Sequence, residues 1–141
     1  MNDDNRPNIF PALRYRDAGA ALVWLQEAFG FSEQAVHRDA AGTPTHVELR
    51  LGAGMVMFGQ YRDAGWLGGQ APDPLASTVS IYVVVEDPDA HYATATAAGA
   101  RIVRELTDES YGSREYSARD PEGNLWSFGT YDPYGETQGT S

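Results

Sequence analysis

Two stretches of the chain share a wording, MVMFGQY at residues 55–61 and LWSFGTY at residues 125–131. Phe58 and Phe128, Gly59 and Gly129, and Tyr61 and Tyr131 are each 70 residues apart. So are Asp17 and Asp87, each of which ends a strand-like run and opens a helix-like one. In a chain of 141 residues that period allows two copies of one unit. It is too long for a solenoid repeat, so the chain reads as a duplicated supersecondary unit rather than an array. Whatever the first half does locally, the second half must do again.

The first copy spans residues 7–61. NIFPALRY is extended and runs into Arg16 and Asp17, where a carboxylate caps the next helix and favours its positive end. AGAALVWLQEAFG places Leu22, Leu25 and Phe29 at helical spacing, with Gly30 as the stop. FSEQAVHRDA, the turn AGTP and THVELRLG supply two extended segments. In the last of these Val47, Leu49 and Leu51 alternate with His46, Glu48 and Arg50, the period of a half-buried strand. GAG then turns the chain into MVMFGQY.

The second copy, residues 77–133, keeps the order. STVSIYVVVED is an apolar, β-branched strand, and PDAHYATATAAGA is a helix opened by Asp87, with Pro88 at its first position and Gly99 as its stop. RIVREL, YGSREYSARD and, after the turn DPEGN, LWSFGTY supply three more strands. Residues 62–76, rich in Gly and Pro, read as a linker loop, and residues 134–141 as a frayed tail. The predicted class is α+β, two tandem βαβββ units.

Charge and composition narrow the function classes. Twenty acids face ten bases, all of them Arg, for a net charge of −10, which disfavours nucleic-acid binding because a phosphate backbone needs a positive face. The acids are scattered along the whole chain, a pattern of solubility or habitat first and of attraction to a cationic ligand second. No apolar run approaches the roughly 20 residues of a membrane span. The start, MNDDNRPN, lacks the basic and apolar regions of a signal peptide, so a cytoplasmic location is expected. With no cysteine, only His, Asp and Glu remain as ordinary protein ligands for a metal.

The unit order, together with ALRYRDAGAALVWLQEAFGF and the close ARDPEGNLWSFGTY, resembles the vicinal-oxygen-chelate superfamily of glyoxalases, bleomycin resistance proteins and dioxygenases, from about Ile9 to Pro133. The resemblance implies that each unit curls its sheet into half a cup and that paired cups enclose a ligand cavity, often completed in a homodimer. It also implies metal-ligand places on the first and last strands of each unit. Carried over, these fall on Phe10, Met57, Ser80 and Ser127. Phe cannot ligate, a Met thioether suits soft ions, and a neutral Ser hydroxyl is a poor ligand. The expectation is therefore no metal and no other cofactor, as in the metal-free branch similar to the bleomycin resistance proteins.

With those places facing the cavity, alternation turns Phe10, Arg14, Met55, Met57, Ser80, Tyr82 and Ser127 inward and points His46, Glu48 and Arg50 into the cup. Val56, Phe58, Trp126 and Phe128 are left for the helix side. Trp66, in the Gly-rich stretch WLGG, joins the candidate ligand-binding set as a lid or stacking surface. Adaptable Met, aromatics and a few polar groups make the lining of a small-molecule site. Plainer roles stand beside these: core packing for the two Met, a solvated face or dimer seam for the polar trio, a linker anchor for Trp66. Two functions stay open. One is sequestration of an antibiotic or aromatic metabolite, cationic or aromatic in character, without reaction. The other is an isomerase, lyase or hydrolase of the same superfamily, with or without a divalent metal. In it His46 acts as general base oriented by Glu48, while Arg50 or Arg14 holds an anionic substrate group.

Overall fold

The structure, a computed structural model of the chain, describes residues 6–62 and 73–135. The chain divides into two compact units between Asp73 and Pro74. The first contains β1 (Ala12–Tyr15), α1 (Ala18–Phe29), β2 (Ser32–Arg38), β3 (Pro44–Leu51) and β4 (Gly54–Gln60). A single 3-10 turn, Pro74–Ala76, precedes β5 (Ile81–Val84), α2 (Pro88–Ala97), β6 (Arg101–Asp108), β7 (Arg114–Arg119) and β8 (Leu125–Gly129). The sheets have the orders β1-β4-β3-β2 and β5-β8-β7-β6, in which β1 pairs parallel with β4 and β5 with β8. Each unit is thus βαβββ, and no described helix is long and apolar enough to cross a membrane.

Each helix starts as its carboxylate cap dictates. Asp17 Oδ1 accepts the Ala20 amide at 3.0 Å and Asp87 Oδ1 the Ala90 amide at 3.1 Å. Gly30 closes α1 in the left-handed conformation at φ 84°, whereas Ala98 caps α2 and Gly99 takes the positive φ after it. The apolar stripe of α1 buries Leu22, Leu25 and Phe29 against β1, β3 and β4. There Val47, Leu49, Val56 and Phe58 are all buried, as the alternation requires, and the Tyr15 ring meets Phe58 edge-on at 5.1 Å.

The second core is made differently. Of α2 only Pro88 and Ala95 are buried, so the sheet supplies the bulk: Trp126 and Phe128 lie parallel at 6.5 Å, and Phe128 stacks on Tyr116 at 5.2 Å. His91 reaches down from the helix to the Tyr116 hydroxyl at 2.6 Å. Buried Asp120 takes the Trp126 indole N–H at 3.1 Å on one oxygen and the backbone amides of Glu122 and Asn124 at 3.0 Å on the other, tying the DPEGN turn to the core.

The first strands begin later than NIFPALRY and STVSIYVVVED suggest. Phe10 and Ser80 both precede their strands, so the expectation that they sit on them is corrected. Pro11 explains the first unit: its carbonyl accepts the Met57 amide at 2.9 Å, but it has no N–H to donate to the next rung. Ile81, the residue at the same place in the second copy, has that N–H, and β5 begins on it.

The glycine repeated in both phrases is a close-approach residue. A Cβ at Gly59 would lie 2.2 Å from the Thr45 carbonyl oxygen, and one at Gly129 would lie 2.5 Å from Glu115 Cγ. Gly59→Ala therefore forces backbone to move and is expected to cost about 3 kcal/mol. Asp17→Ala, which removes one cap, is expected to cost about 1 kcal/mol. Urea unfolding reads both, and a Gly59→Ala midpoint equal to the parent's would refute the close-approach account.

Candidate functional site

In each unit the helix covers one sheet face, and the residues between the buried ones turn to the other. On the first sheet this face carries Arg14, His46, Glu48, Arg50, Met55 and Met57. The register sets Glu48 opposite Met57 and Arg50 opposite Met55. His46 Nε2 and Glu48 Oε2 are 2.9 Å apart, with the imidazole the more exposed partner. The two Met side chains are half-buried and Arg50 is exposed. Arg14 donates to the carbonyl of Leu13 at 2.9 Å, and its partial burial lowers its pKa by disfavouring the charged form. Phe10, 39% exposed, stands just before β1. His37 was absent from the expected set, yet it pairs with His46 across β2 and β3, the ring centroids 5.8 Å apart.

On the second sheet Tyr82 and Ser127 face each other in register, and the Ser127 hydroxyl lies 2.7 Å from that of Ser117. Ser80 is exposed ahead of β5. Sequence reasoning missed the centre of this face. Glu115, 5% exposed, receives Arg104 Nη2 at 2.9 Å and the Tyr111 hydroxyl at 3.0 Å, and Arg104 also bridges to Glu109. The Tyr82 hydroxyl donates to the Tyr131 carbonyl at 2.7 Å, and Tyr111 meets Tyr131 edge-on at 6.1 Å. Three partly exposed phenol rings thus surround an ion pair.

Electrostatics follow from that packing. Burial pushes the Glu115 carboxyl up, but hydrogen bonds from Arg104, Ser113 and Tyr111, with the Arg104 charge, outweigh it and leave the pKa below its ordinary value. Burial raises the Tyr82 phenol, opposed by a hydrogen bond with Ser113 and reinforced by the negative Glu115.

A signal for Glu115 was present in the repeat. Val47 pairs with Phe58 and Tyr116 with Phe128, which makes His46 and Glu115 the same place in the two copies. That place is displaced by 69 rather than 70 (115 − 46) because the β7–β8 turn is one residue longer than the β3–β4 turn.

The four places carried over from the resemblance do not suit a divalent ion. Phe10 offers no donor, Met57 a thioether, Ser80 a hydroxyl outside the strand, and Ser127 a hydroxyl already bonded to Ser117. Among the described residues no three His, Asp or Glu side chains form a group able to hold a metal. Trp66 lies outside the described residues.

Known proteins are similar to this chain in sequence and fold. The model of the glyoxalase/bleomycin resistance protein/dioxygenase superfamily matches residues 10–128. The uncharacterized protein Mb0911c of Mycobacterium bovis is 32% identical over 127 residues, covering 87% of this chain and 82% of its own. TioX from Micromonospora sp. ML1 superposes with a TM-score of 0.70 at 34% identity, over 87% of this chain and 94% of TioX. A bleomycin-binding protein solved in complex with bleomycin shares the fold, with a TM-score of 0.64 at 22% identity over 89% of this chain and 99% of that one.

Removing Arg104 tests the buried carboxylate. Because the folded Glu115 pKa is depressed, its stabilisation is complete above the unfolded value and is lost as pH falls through the folded one. Arg104→Gln is expected to cost about 1–2 kcal/mol at neutral pH. The gap from the parent should shrink at acid pH, as the Glu115 carboxyl of the parent becomes protonated. Urea titrations at the two pH values measure this, and a gap independent of pH would contradict it.

Proposed function

This chain belongs to the glyoxalase/bleomycin resistance protein/dioxygenase superfamily, and from that premise we propose that it is a metal-independent binding protein that sequesters a small aromatic or cationic molecule. The observation that carries the reading is the lining of the two open faces. Where metal-using members need imidazole or carboxylate donors, this chain has Phe10, Met57, Ser80 and a Ser127 hydroxyl engaged by Ser117. In their place stand Met55 and Met57 on one face and Tyr82, Tyr111 and Tyr131 on the other, between 37% and 57% exposed for the three phenols. Such rings offer stacking surface to a flat ligand and π faces to a cation, and the net charge of −10 adds attraction for the latter. The rest of the expected ligand-binding set, Arg14, His46, Glu48, Arg50 and Trp66, completes the proposed lining. In this reading the chain works in the cytoplasm as a homodimer.

One contact favours a second reading. The 2.9 Å bond between His46 and Glu48 is the geometry of an oriented general base, so an isomerase, lyase or hydrolase acting on a small metabolite through that pair is the alternative.

Calorimetric titration with bleomycin and a panel of planar cationic antibiotics, followed by mass analysis of the recovered compound, separates the two. Sequestration predicts saturable binding, an unchanged mass, and a loss of about tenfold, or about 1.4 kcal/mol, on Tyr82→Ala. A changed mass that disappears in His46→Ala supports the enzyme. Stoichiometric binding of zinc, nickel, manganese or iron by the metal-free chain would overturn the metal-independent reading. Light scattering at micromolar concentration should report a dimer.

A further inference from the structure

The first unit has a cavity that the two open faces do not use. A cleft of about 530 Å³ opens at the sheet end where β1, β2 and β4 finish and β3 starts, and Arg16, Arg38, Thr43, Tyr61 and Arg62 line it. Three of the ten basic residues of a strongly acidic chain therefore stand around one opening. Asp17, the one acid among the lining residues, is occupied as the helix cap. Asp39 nearby holds Arg62 through Oδ2 at 2.8 Å, while its Oδ1 accepts the turn amides of Ala41 and Thr43, each at 3.0 Å. Arg38 is held by one bond to the Gly42 carbonyl at 3.0 Å. A guanidinium has five donors, so a single bond positions each of these two and leaves others for a ligand. At the adjoining helix end the Ala18 amide is taken by Gln60 and the Ala20 amide by Asp17.

The duplication supplies an internal control. Seventy residues on, the places of Arg16, Arg38 and Arg62 are held by Glu86, Asp108 and Asp132. The strand register matches them: Arg14 opposite Gly59 corresponds to Val84 opposite Gly129, and His37 opposite His46 to Thr107 opposite Glu115. The same corner of the same unit thus carries the opposite charge, so nothing in the fold demands arginine there.

We propose that this cleft binds a phosphate-bearing small molecule, with the forks of Arg16, Arg38 and Arg62 on the phosphate oxygens and the Tyr61 ring against the organic part. Planar guanidinium pairs match phosphate geometry, and the open mouth admits a substituent beyond it. The site is separate from the faces assigned above, so either can fail without the other.

NMR titration of the ¹⁵N-labelled full chain with inorganic phosphate, phenyl phosphate and benzoate tests the proposal. Expected are saturable shifts of the Gly42, Thr43 and Tyr61 amides, tightest with phenyl phosphate and weakest with benzoate. Arg62→Gln, at a side chain 56% exposed, and Arg16→Gln should each weaken phenyl phosphate about tenfold. Arg114→Gln, at the matching corner of the second unit, should leave it unchanged. Arg62→Lys, which keeps charge and fold but loses the fork, should fall between. Shifts that rise without saturation, arginine variants that bind like the parent, or shifts that follow self-association onto the acidic corner of a second copy would each overturn it.

Discussion

Parallel pairing of β1 with β4, and of β5 with β8, organises each unit. Successive antiparallel pairings of β4, β3 and β2 make β1 and β2 run the same way at opposite edges of one sheet. The chain must therefore travel back across the sheet between them, and α1 is that crossing. A helix laid over a sheet buries one face and leaves the other bare. The covered face holds Val47, Leu49, Val56 and Phe58, and the bare one holds Arg14, His46, Glu48 and Arg50. Site and core are thus consequences of a single connection, made twice.

The two units reach the same backbone by different chemistry. In the first, an apolar helix supplies much of the core, with six of its residues buried. In the second, a helix of Ala and Thr contributes little, and the aromatic stack of Tyr116, Trp126 and Phe128 with buried Asp120 takes its place. The bare faces diverge as well: His46 beside Glu48 on one, Glu115 clasped by Arg104 and ringed by tyrosines on the other.

Features set by local chemistry were legible in the sequence. Both Asp caps, the α1 stripe, the alternation of THVELRLG and the helix-facing aromatics of MVMFGQY and LWSFGTY all stand in the structure as read. The His46–Glu48 contact was legible too, because it needs only that two residues share one face of one strand. What escaped depends on a partner strand. The start of β1 hangs on a rung that Pro11 cannot complete, and Glu115 emerges only once the longer β7–β8 turn is counted into the register. His37 joins His46 through a ladder broken by a bulge, which alternation along β2 alone does not reveal.

The glycine that both phrases repeat has an evolutionary side. Where a duplicated gene drifts, positions whose neighbours are backbone resist change, while positions facing open space are free to be rewritten. Gly59 stands at the boundary of these two regimes, since it sits among residues that turn away from the helix and yet abuts the Thr45 backbone, whereas Gly129 is closed in by the side chains of Glu115 and Tyr82. Around them the copies have exchanged Met57 for Ser127, Ala12 for Tyr82 and Glu48 for Ser117. The duplication thereby created two independently editable surfaces on one invariant frame, and a lineage carrying such a frame can acquire new recognition without first solving the folding problem again.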